Sequence, residues 1–397
     1  MFTPATIVLE DLQDLLTPTK EESHNMDWSN ISVTLLEIWE SWGKRIIMYL
    51  VGAVLIFLAI RKNLEPSLLL PMGFGAIIVN IPNSGALGHE GAIEWLYNTG
   101  IKASEIMPLL LFIGIGAMLD FGPLLASPKL AFVGAAAQFG IFITIILAVA
   151  IGFDLTDAAS IGIIGAADGP TSILVANKLG TPYVGAITVA AYCYMALVPI
   201  VQPAVIKVCT TRKERLMRMD YNPKSVSKTT RIIFPIVITV IAGLLAPASV
   251  SLVGFLMFGN LLRECGVLDS LSETASKVLV NLVTLLLGIS ISFTMQADRF
   301  VSLDTIMIMG LGLFAFVFDT IGGIFFVKFL NLFSKKKINP MVGAAGISAF
   351  PMASRIVHKL GVEEDKGNYL LMHAASANIA GQVASAIAGG VLLSFFL

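Results

Sequence analysis

Ile161-Gly-Ile-Ile-Gly-Ala-Ala-Asp168-Gly-Pro-Thr171-Ser172 sets one carboxylate among Gly165, Gly169 and Pro170, inside a run otherwise apolar enough to enter a bilayer. An ionisable group at membrane depth is costly. Backbone freed by Gly and Pro is tolerated there only where it lines a cavity or is buried in protein. The stretch therefore reads as an intramembrane cation site. The whole chain agrees with a membrane setting: 397 residues, 56% hydrophobic, 13% charged, with a mean hydropathy of +0.84, outside the range of a soluble domain.

Outward from this stretch the chain alternates apolar segments with short polar ones. Residues 1–43 carry eight acids against Lys20, and Trp28, Leu35, Leu36, Trp39 and Trp42 recur at roughly helical spacing, which predicts a helix lying on the membrane surface. Apolar segments follow at 46–60, 64–81, 101–121, 129–152 and 182–206, then at 232–246, 249–262, 276–297, 304–334 and 369–397. Most reach the roughly 20 residues a crossing needs. Between the two sets lies a linker, 207–231, with Lys207, Arg212, Lys213, Arg215, Arg218, Lys224, Lys228 and Arg231 against Glu214 and Asp220. The positive-inside rule places it in the cytoplasm, and its charge is a topology signal, with no nucleic-acid partner implied. Cys193, Cys209 and Cys265 are dispersed, without disulfide or zinc spacing. No phosphate loop, dinucleotide fingerprint or nucleophile elbow occurs.

A second interrupted segment, 340–360, answers the first. A shift of 181 places Gly162, Gly165, Pro170, Lys178, Leu179 and Gly180 on Gly343, Gly346, Pro351, Lys359, Leu360 and Gly361. Interrupted segments at matching positions of two halves are the best sequence pointer to a transporter's binding site. If each is a hairpin returning to its own side, then Arg61-Lys62, the basic linker and Lys335-Lys336-Lys337 all fall in the cytoplasm. Full crossings would separate the first two. Lys44, Arg45 and Arg299 then lie outside, against the rule. The expected fold is an all-α polytopic membrane protein of two inverted repeats, 44–210 and 231–397. Each has about five transmembrane helices plus one re-entrant or broken-helix hairpin, 157–178 and 340–360.

Asp168 is the first chemical candidate; as the alternative, Asp is also a favoured helix N-cap. Hard cations take oxygen ligands, and a broken helix exposes carbonyls beside the carboxylate, with Thr171 and Ser172 near. The second break offers Asn339, Gly343, Ser348, Ser354 and Arg355, and Ala349 where the first has Asp168. Arg355 either snorkels to the interface or holds an anionic substrate by paired hydrogen bonds. The crossings after the breaks carry Tyr192, Cys193 and Tyr194, and His373, Ser376, Asn378 and Gln382. Asn378 and Gln382 share a helix face and serve either as interhelical glue or, for Asn378, in coordination. Asp319 and Gln138 are at membrane depth without an evident partner.

Around Gly165-Ala-Ala-Asp168-Gly-Pro-Thr171 the chain resembles the β subunits of the sodium-translocating, biotin-dependent decarboxylases. The likeness continues through Phe121-Gly-Pro-Leu-Leu-Ala-Ser-Pro128, Ala135-Ala-Ala-Gln-Phe-Gly140, Tyr194-Met-Ala-Leu-Val-Pro199, Asn339-Pro340, Ala349-Phe-Pro-Met-Ala353 and Leu371-Met-His-Ala374, and covers about residue 45 onward. The resemblance implies a multi-pass subunit of the cell (inner) membrane that decarboxylates carboxybiotin, consumes a proton and exports sodium. It also implies a biotin carrier subunit, a carboxyltransferase α subunit, a small membrane-anchor subunit and a homotrimer in the bilayer. By resemblance, Asp168 and Asn378 ligate sodium, joined by Asn339, Gly343, Ser348 and Tyr194. Tyr194 and Ser348 belong to the proton path, and Arg355 with Asn339 faces the biotin-borne carboxylate. Ala-Ala-Ser-Ala before Asn378, where oxaloacetate-type members typically place Met-Gly-Pro, and a short loop after Pro82 lean towards an acyl-CoA decarboxylase complex, glutaconyl-CoA or methylmalonyl-CoA. The competing reading is a stand-alone sodium-coupled transporter for small carboxylates, since inverted repeats suit that function too.

Overall fold

The computed structural model describes residues 42–88, 90–220 and 226–396, and among them every regular element is helical. The surface helix expected before Trp42, and Lys224 of the basic linker, lie outside the described residues. The first half runs through α1 (Lys44–Lys62), α2 (Pro66–Asn80), α3 (Ile106–Met118), α4 (Lys129–Ala136), α5 (Phe139–Ile151), α6 (Leu155–Gly162), α7 (Gly169–Lys178) and α8 (Val184–Cys209). The second comprises α9 (Lys228–Leu245), α10 (Val250–Glu264), α11 (Val280–Ile291), α12 (Leu303–Phe333), α13 (Met341–Ala344), α14 (Met352–Glu364) and α15 (Leu371–Phe396).

Local chemistry sets many of these boundaries. Pro66 opens α2, where its missing N–H costs nothing. Ser227 and Ser302 cap α9 and α12 by accepting from Thr230 N and Thr305 N, each at 3.2 Å. Pro199 inside α8 removes the hydrogen bond to residue 195, and the helix bends by 66° there. Among the described residues five helices are long and apolar enough to cross a bilayer, or seven if two bent pairs are each one span. The chain is a multi-pass membrane protein. Helices α2 and α10, at 15 residues, are roughly 22 Å long, short of a full hydrocarbon core. Outward faces of α1 and α9 leave Leu50, Ile60, Ile233 and Leu244 exposed, as lipid contact requires.

Helix α12, 31 residues and about 46 Å of helix, serves as a ruler for the two interrupted segments. Beside its N-terminus, Asp304 accepts from the Tyr183 hydroxyl at 2.9 Å, and the Tyr183 ring meets Phe153 edge-on at 5.8 Å. The chain thus leaves the first interrupted segment beside the point where it began. At the other end of α12, Asn331 pairs with Ile338 in both directions, at 2.7 and 2.8 Å. There Asn339 Nδ2 and Asn368 Nδ2 donate to one carbonyl, that of Arg215, at 3.1 and 2.8 Å. The ends of the second segment are likewise side by side, at the opposite end of the ruler.

The breaks meet near its middle. Ser348 N donates to Ala166 O at 3.0 Å. Gly343 crosses Gly323 of α12 so closely that a Cβ on either would lie 2.1 Å from the other's carbonyl oxygen.

Candidate functional site

In the first segment α6 tightens into a 3₁₀ turn over Ile163–Ala166, and Ala167 adopts a left-handed conformation at φ 52°. A residue with a Cβ pays roughly 1 kcal/mol or more for that conformation. It turns the chain so that Asp168 N-caps α7, with Pro170 in the first helical turn. Cap and buried carboxylate are the same residue. The N-terminal end of α7 favours its negative charge.

Asp168 is 2% exposed, and its two oxygens differ. Oδ2 accepts from Thr171 Oγ1 at 2.6 Å, Ser385 Oγ at 2.7 Å and Gln382 Nε2 at 3.2 Å. Oδ1 takes only Thr171 N, at 3.4 Å. None of the ion pairs among the described residues includes Asp168. A buried carboxylate with one oxygen almost free and no counter-charge is a ready place for a small cation.

The second break is held by three amides, two on α8 and α15 and one in the turn between α4 and α5. Gln202 Nε2 donates to Ala344 O at 2.7 Å, Asn378 Nδ2 to Ile347 O at 2.6 Å, and Gln138 Nε2 to Gly346 O at 3.4 Å. These answer carbonyls that a broken helix strands at membrane depth. The oxygens of all three amides are buried and have no hydrogen-bond partner among the described residues.

Both breaks line one cavity of about 260 Å³, with Asp168, Gly169, Ser348, Phe350 and Gln382 on its wall beside Glu65, Ser67 and Asn281. Of the residues expected from sequence, Asp168 and Ser348 share this cavity, and Asn378 holds the adjoining backbone. The Ser348 hydroxyl donates to Gly381 O at 3.1 Å.

The others are placed elsewhere. Tyr194 donates its hydroxyl to the carbonyl of Met309 on α12. Asn339 is buried, bonded through Nδ2 to the carbonyls of Arg215 and Met217 and through Oδ1 to Met341 N. Gly343 serves the crossing with Gly323. Arg355 is exposed on α14 and makes no ion pair among the described residues. Sequence reading passed over Ser385, although Asn378, Gln382 and Ser385 follow i, i+4, i+7 spacing on one face of α15. It also passed over Glu65.

Residues 44–396 match the family described as the Na+-transporting oxaloacetate decarboxylase beta subunit. The chain belongs to this family. It is 46% identical over 354 residues to the glutaconyl-CoA decarboxylase subunit beta of Acidaminococcus fermentans, covering 89% of this chain and 93% of that one. To the methylmalonyl-CoA decarboxylase subunit beta of Veillonella parvula it is 48% identical over 348 residues, 88% and 92% of the two chains. To the oxaloacetate decarboxylase beta chain of Klebsiella pneumoniae it is 43% identical over 411 positions, 88% and 95%. The family is one of sodium-transporting β subunits of decarboxylases. Membership makes this chain one subunit of a multi-subunit complex.

Proposed function

We propose that this chain is the membrane subunit in which decarboxylation of carboxybiotin drives sodium out of the cytoplasm. The observation that supports it best is the shared cavity, where two chain breaks converge on Asp168 with its open oxygen. Sodium and a proton compete for this carboxylate, one positive charge at a time, because an uncompensated charge at this depth is costly. Carboxybiotin, carried in on a partner subunit, supplies the driving chemistry: the bond from ring nitrogen to carboxyl carbon breaks, CO₂ leaves, and the nitrogen takes the proton. For its carboxylate the chain offers Arg355, exposed and without an ion pair among the described residues, on the first turn beyond Pro351, which lines the cavity. Asn378 and Ser348 hold the second break around the ion. Tyr194, Asn339 and Gly343 lock the surrounding elements.

The two halves form inverted repeats, with the interrupted segments as hairpins entering from opposite faces. The placement of their ends at opposite termini of α12 supports this, as does the basic linker beside the second. The complex belongs in the cell membrane, with biotin carrier, carboxyltransferase and membrane-anchor subunits, and the chain forms a trimer. The acyl-CoA decarboxylases are the favoured setting. The same share of this chain aligns over 411 positions with the Klebsiella oxaloacetate subunit but 348 with the Veillonella methylmalonyl-CoA subunit, so the former carries insertions absent here.

Inverted membrane vesicles holding the complex should accumulate radioactive sodium when given the carboxylated carrier, with no dicarboxylate present. Asp168→Asn should abolish uptake. Uptake that requires a co-transported dicarboxylate would sink the proposal in favour of a secondary transporter.

A further inference from the structure

Helix α8 carries two phenols that have opposite surroundings. Tyr194 is engaged, donating to the Met309 carbonyl with its ring against Gly312. Tyr192 is 2% exposed, its hydroxyl has no partner among the described residues, and it lines the cavity that holds Asp168. Its ring lies over Gly169, next to Asp168 in the chain, where a Cβ would come within 2.1 Å of a ring carbon. A buried hydroxyl without a partner is a standing cost, and phenylalanine would fill the same space without it. Packing explains the ring and leaves the oxygen unexplained.

We propose that the Tyr192 hydroxyl oxygen is a ligand of the transported sodium ion, acting with Oδ1 of Asp168. A neutral phenol oxygen suits a monovalent hard cation whose charge one carboxylate already balances, because it adds coordination without adding charge. Tyr194 then holds α8 against α12 and is not a ligand. The inference rests on the assignment of Asp168 as the sodium site.

The test measures sodium dependence of decarboxylation and of sodium uptake in vesicles containing the whole complex, for Tyr192→Phe, Tyr194→Phe and Asp168→Asn. Tyr192→Phe should raise the sodium KM about tenfold or more, with kcat at saturating sodium within about twofold of wild type. Its thermal midpoint should be unchanged or higher, and Tyr194→Phe should leave the sodium KM unchanged. An unaltered sodium KM in Tyr192→Phe, beside an inactive Asp168→Asn, would overturn the ligand role alone. Wild-type sodium dependence in Asp168→Asn would overturn the site itself, and a lower thermal midpoint in Tyr192→Phe would show that its hydroxyl has a structural partner.

Discussion

At the scale of single residues, the site depends on how unevenly Asp168 is solvated by its neighbours. Ser385 donates to Oδ2 at 2.7 Å, and a hydrogen bond to a charged group contributes about 1.5–3 kcal/mol. Ser385→Ala should therefore raise the sodium KM of the complex by about tenfold, read from initial rates of sodium-dependent decarboxylation, while Ser385→Thr retains most of the affinity. Asp168 was legible in the sequence because a carboxylate between Gly and Pro in an apolar run has no cheap explanation. Ser385 was legible in principle, one helical face along from Asn378 and Gln382. The choice between Tyr192 and Tyr194 was not. Two residues apart on a helix they point about 200° from each other, and which one meets the cavity depends on how α8 is rotated against α7 and α12. Asn339 illustrates the reverse: a polar residue beside a break suggests coordination, but the carbonyls of the linker occupy it.

At the scale of elements, the breaks were visible as Gly and Pro in apolar runs, but the groups that satisfy them come from distant helices. Asp319, midway along α12, is fully buried and accepts from Gly140 N at the start of α5. It caps the helix that resumes after the interruption at Ala137-Gln138. A side-chain oxygen in that position suffices, so Asp319→Asn should keep the fold and the transport rate. Asp319→Ala should cost about 1–2 kcal/mol, seen as a lower thermal midpoint of the solubilised complex. A second device ties the linker to the end of α14. Arg215 Nε meets Glu364 at 2.6 Å, and Arg218 meets both oxygens of Asp365 at 2.6 and 2.9 Å. The hydrogen bonds from Arg218, reinforced by Gly367 N, hold the Asp365 carboxyl below the ordinary carboxylate range. A depressed value means that this contribution is present above the ordinary carboxylate pKa, about 3.9, and lost as pH falls below it. The protection factors of the amides in 361–368, that is their exchange relative to the intrinsic rate at each pH, should fall on acidification from neutral pH to below about pH 4. The fall should be smaller in Asp365→Asn, which lacks the charged tie at every pH.

At the scale of the whole molecule, charge alone favours one arrangement of the halves over another, because hairpins leave three basic segments on one side and crossings do not. The count of spans was less legible. Helices α2 and α10 are too short to span alone, and bends such as that in α8 divide what reads as one apolar run. What the packing adds is a pair of marked ends. Asn177 donates to the Lys102 carbonyl at 3.3 Å, and Lys178 pairs with Glu105 at 3.4 Å, so Lys102 stands beside the end of the first interrupted segment. Lys366 stands beside the end of the second, between Asp365 and the Gly367 that bonds to it. If the halves are inverted, these two exposed positions face opposite sides of the membrane. In a variant with Cys193, Cys209 and Cys265 replaced by serine, a cysteine at position 102 should react with a membrane-impermeant maleimide on intact cells. One at position 366 should react only after the membrane is opened. Equal labelling of both from outside would remove the inverted arrangement. It would leave the cavity around Asp168 without a route from one side to the other, because hairpins entering from a single face give access to that face alone.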